Sequence, residues 1–308
     1  MKKITSKLVI TYLIMSTTLS LISSCSSVEE TTEPIVDRYL SIPDVHFETK
    51  LIELGIDSDG IVNQLMLKTD ATRTRALDLN FDNNSGKIND LTGIEGFTNL
   101  TFLSAAMQNI KHVDLSCNTM LDTLYLTANE LTTIDLSKNT RLVFIDLQSN
   151  EFNSPSSIVG LSNLIHLKDL DLSWNYLEDF SIHNESLEIL HISHNDLLSI
   201  NTDRATNLQH IFMPSNKLQT VDFTTNTSLE TLLLAGNKIE HINLQNNTGL
   251  THLYISSNSL MHLDVSKNVA LIDLRVDRNP ELTCIKIDNS QTPYVMKSDY
   301  QELNPTCN

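Results

Sequence analysis

The feature that most constrains this 308-residue chain is that it repeats itself. An apolar residue opens the same frame at Leu100, Leu121, Leu142, Leu167, Leu187, Leu208, Leu229, Leu250 and Leu271, in steps of 21, 21, 25, 20, 21, 21, 21 and 21 residues. Nine registers with so little drift mark a stack of one supersecondary unit. Within the unit, Leu124 and Leu126 follow the strand period of two, so both face the core and Tyr125 between them faces out. A unit this short cannot bury its own apolar face, so stability is a sum over neighbours.

Two asparagine columns run through the array. The first holds Asn129, Asn150, Asn175, Asn195, Asn216, Asn237, Asn258 and Asn279. An amide there can satisfy the main-chain groups of a tight turn. The second, at Asn118, Asn139, Asn184, Asn226, Asn247 and Asn268, follows a second apolar pair such as Ile134/Leu136 or Val221/Phe223. The period leaves no room for a long helix, so the convex side is expected to be extended or turn-like. Nine strands about 4.8 Å apart make a parallel sheet roughly 40 Å long.

The order Leu-x-x-Leu-x-Leu-x-x-Asn-x-Leu over Leu121–Leu131 is that of leucine-rich repeats. Residues 77–283 resemble bacterial repeats of the internalin type, and the chain as a whole looks like the lipid-anchored repeat proteins common in Bacteroidetes. The segment from Asp90 to Leu100 is similar to internalin first repeats. The 21-residue period with Asp-Leu-Ser-x-Asn-Thr (Asp135 to Thr140) resembles the branch that carries a cysteine ladder. Here that column holds Ala105, Leu126, Leu147, Leu172, Ile192, Met213, Leu234, Ile255 and Val276, with no cysteine. The resemblance implies a leucine-rich-repeat solenoid with a parallel β-sheet on its concave face, an extended or turn-like convex side, a small helical N-terminal cap and a non-repeat C-terminal cap.

The ends read differently. Lys2, Lys3 and Lys7 precede an apolar run from Leu8 to Ile22, which makes residues 1–24 a signal peptide rather than a membrane span. Leu21-Ile-Ser-Ser-Cys25 resembles the bacterial lipobox, in which the cysteine is acylated and the signal removed before it. An ordinary signal peptide with a nearby cysteine is the alternative. Residues 25–40 are small, polar and acidic, a tether; the acidic run is similar to surface-export signals of Bacteroidetes lipoproteins, or is a plain spacer. Residues 41–76 form the N-terminal cap, with a short amphipathic helix within 41–56. Asp57-Ser-Asp59-Gly60 invites a calcium-loop reading. Aligning Gly60 with the loop glycine puts Gly55 and Met66 where carboxylates are needed, so a plain turn is the expectation. In residues 284–308, Cys284 and Cys307 can pair in an oxidising compartment, the alternative being reduced, packed thiols, while Cys117 stands alone.

Charge narrows the partners. The chain carries 21 basic and 38 acidic residues; without the first 24 residues 18 basic remain against 38 acidic, a net of −20. That surface repels phosphate backbones and anionic lipid, which speaks against nucleic acid and leaves the lipid anchor as the membrane contact. The column between the two inward leucines reads Ser104, Tyr125, Asp146, Asp171, His191, Phe212, Leu233, Tyr254 and Arg275. Phe212, Leu233 and Tyr254 are a run of apolar side chains where a merely solvated surface is polar, with His210 and His252 two positions back and Trp174 and His194 further along their units. The candidate ligand surface is therefore Tyr125, Trp174, His191, His210, Phe212, Leu233, His252 and Tyr254, unless these side chains only cover one another. The histidines lie in separate repeats without metal-ligand spacing, and no nucleophile elbow, phosphate loop or carboxylate pair accompanies them. The expectation is a non-catalytic envelope lipoprotein without cofactor or metal. It would sit in the outer membrane, exposed or periplasmic, and bind a macromolecule, with protein favoured and glycan possible. A structural role in an envelope complex is the further alternative.

Overall fold

A computed structural model describes residues 38–82 and 86–307. The segment expected to be a signal peptide, the expected lipidation site Cys25 and most of the expected tether lie outside the described residues. Leu77, Leu103, Leu124, Ile145, Leu170, Leu190, Ile211, Leu232, Leu253 and Leu274 all point inward and are fully buried. Each sits at the centre of a three-residue strand, from Ala76–Asp78 through Thr123–Tyr125 to Asp273–Arg275. Each strand pairs in parallel with the next in sequence, in exact one-to-one register, so the columns read from sequence are columns in space. With Tyr294–Met296 added at the C-terminal edge the sheet has 11 strands, about 48 Å at a 4.8 Å spacing. The fold is a leucine-rich-repeat solenoid with non-repeat extensions.

The convex side holds short turns and small parallel pairings. Ile134–Asp135 pairs with Ile158–Val159, Asp179–Ser181 with Ser199–Asn201, and Leu263–Asp264 with Cys284–Lys286. The four extra residues of the 25-residue repeat are absorbed in a 3₁₀ turn at Pro155–Ser157 and the strand Ile158–Val159, so the insertion folds against its neighbour. Gly160 makes this possible: at φ 96° it lies over the Ser137 main chain, where a Cβ would meet the Ser137 nitrogen at 2.5 Å.

Both asparagine columns are hydrogen-bonded ladders. Asn129 donates to the Ala105 and Leu126 carbonyls (2.8 and 3.0 Å) and accepts from the Ile110 N–H (3.1 Å), and the pattern recurs repeat by repeat. In the second column Asn139 donates to the Leu115 and Asn118 carbonyls, both at 3.0 Å. Where that column breaks at Ala205, Thr202 donates its hydroxyl to Asn226 (2.8 Å). Glutamines finish the ladders. Gln108 stands one step before Asn129, Gln291 reaches the Val265 and Asn268 carbonyls, and Gln301 reaches the Val276 carbonyl. The polar spine thus runs past Thr283, where the leucine pattern stops, because a longer amide spans an imperfect step.

The N-terminal end is closed by more than one helix. Tyr39–Ser41 pairs antiparallel with Leu65–Leu67, and two helices follow these strands, α1 (Val45–Glu53) and α2 (Lys68–Arg73). Asp44 caps α1 through Oδ1, which accepts from the His46 and Phe47 N–H groups. Its Oδ2 accepts from Asn89 and Asp90 and so ties the cap to the first turn of the array. Phe47 and Phe97, both fully buried, meet with ring centres 6.4 Å apart. At the other end Cys284 and Cys307 form a disulfide with Cα atoms 5.9 Å apart, and Cys117 is free and exposed. Among the described residues no helix is long and apolar enough to cross a membrane.

Candidate binding surface

The sheet presents its outward residues in two columns flanking the inward leucines. The column after the leucine carries Tyr125, Asp146, Asp171, His191, Phe212, Leu233, Tyr254 and Arg275. The column before it carries Phe102, Thr123, Phe144, Asp169, Ile189, His210, Thr231, His252 and Asp273. Strands 4.8 Å apart bring neighbours in a column into van der Waals contact, so chemistry on this face is made between repeats rather than within one.

Three zones result. At the N-terminal end Tyr125 lies between Phe102 (ring centres 5.9 Å apart) and Phe144 (4.7 Å). In the middle stand Asp146, Asp169 and Asp171 on adjoining strands. Asp146 accepts from the Gln148 N–H and Asp171 from the Ser173 N–H, whereas Asp169 Oδ1 has no hydrogen-bond partner among the described residues and lies 3.8 Å from His191 Nε2. Burial pushes the Asp146 carboxyl above its ordinary pKa, and the Asp171 charge adds to this against hydrogen bonds from Gln148 and Thr127. Burial likewise raises Asp169, more than His191 lowers it. Towards the C-terminal end the His191 ring stacks on Phe212 at 4.5 Å, and Leu233 follows. The Arg275 guanidinium then covers the Tyr254 ring at 4.1 Å.

The last strands are electrostatically closed. The Tyr254 hydroxyl donates to Asp273 (2.8 Å), as does the Arg275 guanidinium (3.0 Å). Burial alone would raise Asp273, but these bonds outweigh it and hold the carboxyl below its usual range. The same hydrogen bond lifts the Tyr254 hydroxyl above its ordinary value.

Of the residues singled out from sequence, Tyr125, His191, His210, Phe212, Leu233, His252 and Tyr254 stand on the strands of the concave sheet, with one correction. Phe212, Leu233 and Tyr254 are half-buried rather than freely exposed, because His191 lies over Phe212 and Arg275 over Tyr254. His210 and His252 sit beside Phe212 and Tyr254, with ring centres 6.4 Å apart in each case. Trp174 and His194 occupy the rim, where each repeat turns through a left-handed residue (φ 58° and 52°). Their rings stack at 3.9 Å, and Trp174 remains 53% exposed. Sequence reasoning missed Phe102, Phe144 and Asp169. All three stand in the outward column one residue before the inward leucine, and reading that column as closely as its partner finds them. Among the described residues no three His, Cys, Asp or Glu side chains are grouped to hold a metal ion. A depression of about 810 Å³ lined by Ser162, Lys168, Glu185 and Arg204 lies at the turns leading into the strands, away from the aromatic zones.

Comparison with known proteins agrees with the fold. No family model matches the chain. The functional domain of InlJ from Listeria monocytogenes, which includes a cysteine ladder, aligns with a TM-score of 0.69 and 24% identity over 84% of this chain and 61% of that one. Internalin C2 from the same organism aligns with a TM-score of 0.54 and 20% identity over 75% of this chain and 92% of its own. The APL1 leucine-rich-repeat domain gives 0.59 and 22% over 77% and 65%. Bovine lumican is 33% identical over 150 residues, 39% of this chain and 43% of lumican, so the match spans less than half of that relative. The structure is similar in fold to bacterial internalin-like leucine-rich-repeat proteins.

Proposed function

We propose that this chain is a cell-envelope lipoprotein, anchored through an acylated Cys25, whose concave sheet binds a protein partner. The observation that carries the reading is the continuous face built by register: an aromatic cluster at Phe102, Tyr125 and Phe144, three carboxylates, then His191, Phe212, Leu233 and Tyr254. Apolar anchors beside desolvated charge are what protein interfaces use for affinity and for partner choice. The Asp146–Asp169–Asp171 centre favours basic side chains in the partner between the two apolar zones.

The test is binding of the purified chain to envelope or host protein fractions, with Phe212, Leu233 and Tyr254 all changed to Ser. Loss of about tenfold or more in affinity is expected, since anchor side chains at interfaces cost upwards of 1.4 kcal/mol each when removed. Unchanged binding would remove this face from the assignment. Glycan binding is the second reading, favoured by the exposed Trp174 ring on its His194 support and by Tyr125 and Tyr254. A glycan array run against a protein pull-down separates the two: Trp174→Ala abolishes glycan capture under the second reading and leaves protein capture intact under the first.

A further inference from the structure

The N-terminal cap gathers carboxylates that stand far apart in the chain and that the concave face does not use. Glu48, on the inner face of α1, is 0% exposed. Its Oε1 accepts from the Asn63 and Leu65 N–H groups (2.9 and 3.2 Å), but Oε2 is enclosed with no hydrogen-bond partner among the described residues. Asp57 is 3% exposed, and both of its oxygens are enclosed without a partner. Asp70, in the first turn of α2, is also buried; it accepts from the Ser58 N–H (3.2 Å) and from the Arg73 guanidinium. Asp59, at the surface of the same loop, accepts from the Ile61 N–H and the Asn63 amide.

The charge balance is the difficulty. Of the three enclosed carboxylates, Asp70 alone is paired with a guanidinium, that of Arg73, among the described residues. Burial, with the charges of Asp59, Glu48 and Asp70, pushes Asp57 up to about 6; the Asp59 N–H offsets part of this without reaching hydrogen-bond geometry. By geometry, both Asp57 oxygens and Oε2 of Glu48 are enclosed without a hydrogen-bond partner among the described residues. An enclosed, ionised carboxylate without a partner costs several kcal/mol, and native proteins meet that cost with a counter-charge.

We propose that the cap binds one hard divalent cation of the calcium class, held by the free oxygens of Asp57 and by Oε2 of Glu48. The free donors are all oxygen, with no imidazole or thiolate among them, which selects calcium or magnesium over zinc. The site is not the twelve-residue loop weighed from Asp57-Ser-Asp59-Gly60. Its second carboxylate comes from the preceding helix, outside any linear loop spacing. No three side chains form a ready chelate among the described residues, so most of a six- to eight-oxygen shell falls to main-chain carbonyls and water. Affinity is then expected at the weak end, with Kd about 0.1–1 mM. Bound there, the ion would fix the Asp57–Asn63 loop against α1 and so stiffen the open end of the array.

The experiment uses the full chain, dialysed against EDTA and titrated calorimetrically with CaCl₂ at pH 7.5, with thermal melting in parallel. One equivalent of Ca²⁺ is expected to bind, raising Tm by about 2–4 °C at 10 mM. Asp57→Asn should abolish both signals, and Glu48→Gln should weaken binding at least tenfold. Should one variant fail to fold, the other and the wild-type titration still decide. No heat and no Tm shift with 10 mM Ca²⁺ or Mg²⁺ overturns the site. So does an undiminished shift in Asp57→Asn, or an apo Tm that rises as pH falls below 6 while Ca²⁺ has no effect at any pH, which assigns the counter-charge to a proton. None of these outcomes depends on what the concave face binds.

Discussion

The first asparagine ladder of the array and the N-terminal cap both bury polar side chains, and they treat them in opposite ways. The second column stands between, since Asn118, Asn139, Asn247 and Asn268 donate to main-chain carbonyls but leave a neutral Oδ1 without a hydrogen-bond partner among the described residues. In the array Asn129, Asn150, Asn175 and their equivalents each donate to main-chain carbonyls of their own and the preceding repeat and accept from a neighbouring N–H. In the cap, Asp57 and Glu48 are buried as deeply, yet three of their oxygens have no hydrogen-bond partner among the described residues. A polar group repeated eight times has been fitted to the main chain it serves, and its role ends with the fold. A buried carboxylate left open in a segment that occurs once has no such role. The difference separates polar groups that build the solenoid from groups that ask for something outside it.

The sharpest way to break this comparison is to empty a ladder position. Asn129→Ala leaves the Ala105 carbonyl and the Ile110 N–H buried without their partner, while the Leu126 carbonyl keeps the bond from Asn150. At 1–3 kcal/mol for each unsatisfied group, partly relieved by relaxation, a loss of roughly 4 kcal/mol is expected in urea unfolding. A loss below about 1 kcal/mol would mean that the ladder is decoration. The next effect lies at the opposite end. Cys284 and Cys307 close a loop of 23 residues, and removing both is expected to cost roughly 3 kcal/mol. Because contacts in a solenoid run only between neighbours, that loss should appear as early fraying of residues 284–307 in hydrogen exchange, with the strands around Thr123–Tyr125 unaffected. Uniform loss of protection would show the array to be more cooperative than nearest-neighbour coupling allows.

Most of the array was legible before any coordinates, because one register error would have turned every leucine outward. Period, inward column and both asparagine ladders follow from residues such as Leu124, Leu126, Asn129 and Asn139. The ends were less legible for a physical reason. Gln108, Gln291 and Gln301 do the work of asparagine with a longer side chain, so the spine continues where the pattern stops. The face was half legible. Tyr125, His191, Phe212 and Tyr254 stand in the column that was read, while Phe102, Phe144 and Asp169 stand in its neighbour. How far a ring is covered, as Phe212 is by His191, depends on side-chain packing between repeats and has no sequence period. The cap was least legible: the meeting of Glu48 with Asp57 and Asp70 depends on how two helices and a hairpin close on one another.

The smallest expected effect has the opposite sign to the others and tests the cap directly. Asp57 has a folded-state pKa of about 6 against 3.8 for the free side chain, so the folded chain holds its proton more tightly than the unfolded one. In EDTA, stability should be highest below pH 3.8 as far as this group is concerned, and should be lost as pH rises through 6. The full swing is at most about 3 kcal/mol, spread over the window from about pH 4 to 7. Asp57→Asn removes the charge, so its apo form should melt above the wild type at pH 7.5 and show a flatter dependence between pH 4.5 and 7. Asn129→Ala, by contrast, gains no stability at any pH in this window, since the partners of Asn129 are main-chain groups that do not titrate. If Asp57→Asn instead destabilised the apo chain at pH 7.5, Asp57 would have a partner in the apo fold, and the cap would be satisfied in the same way as the array.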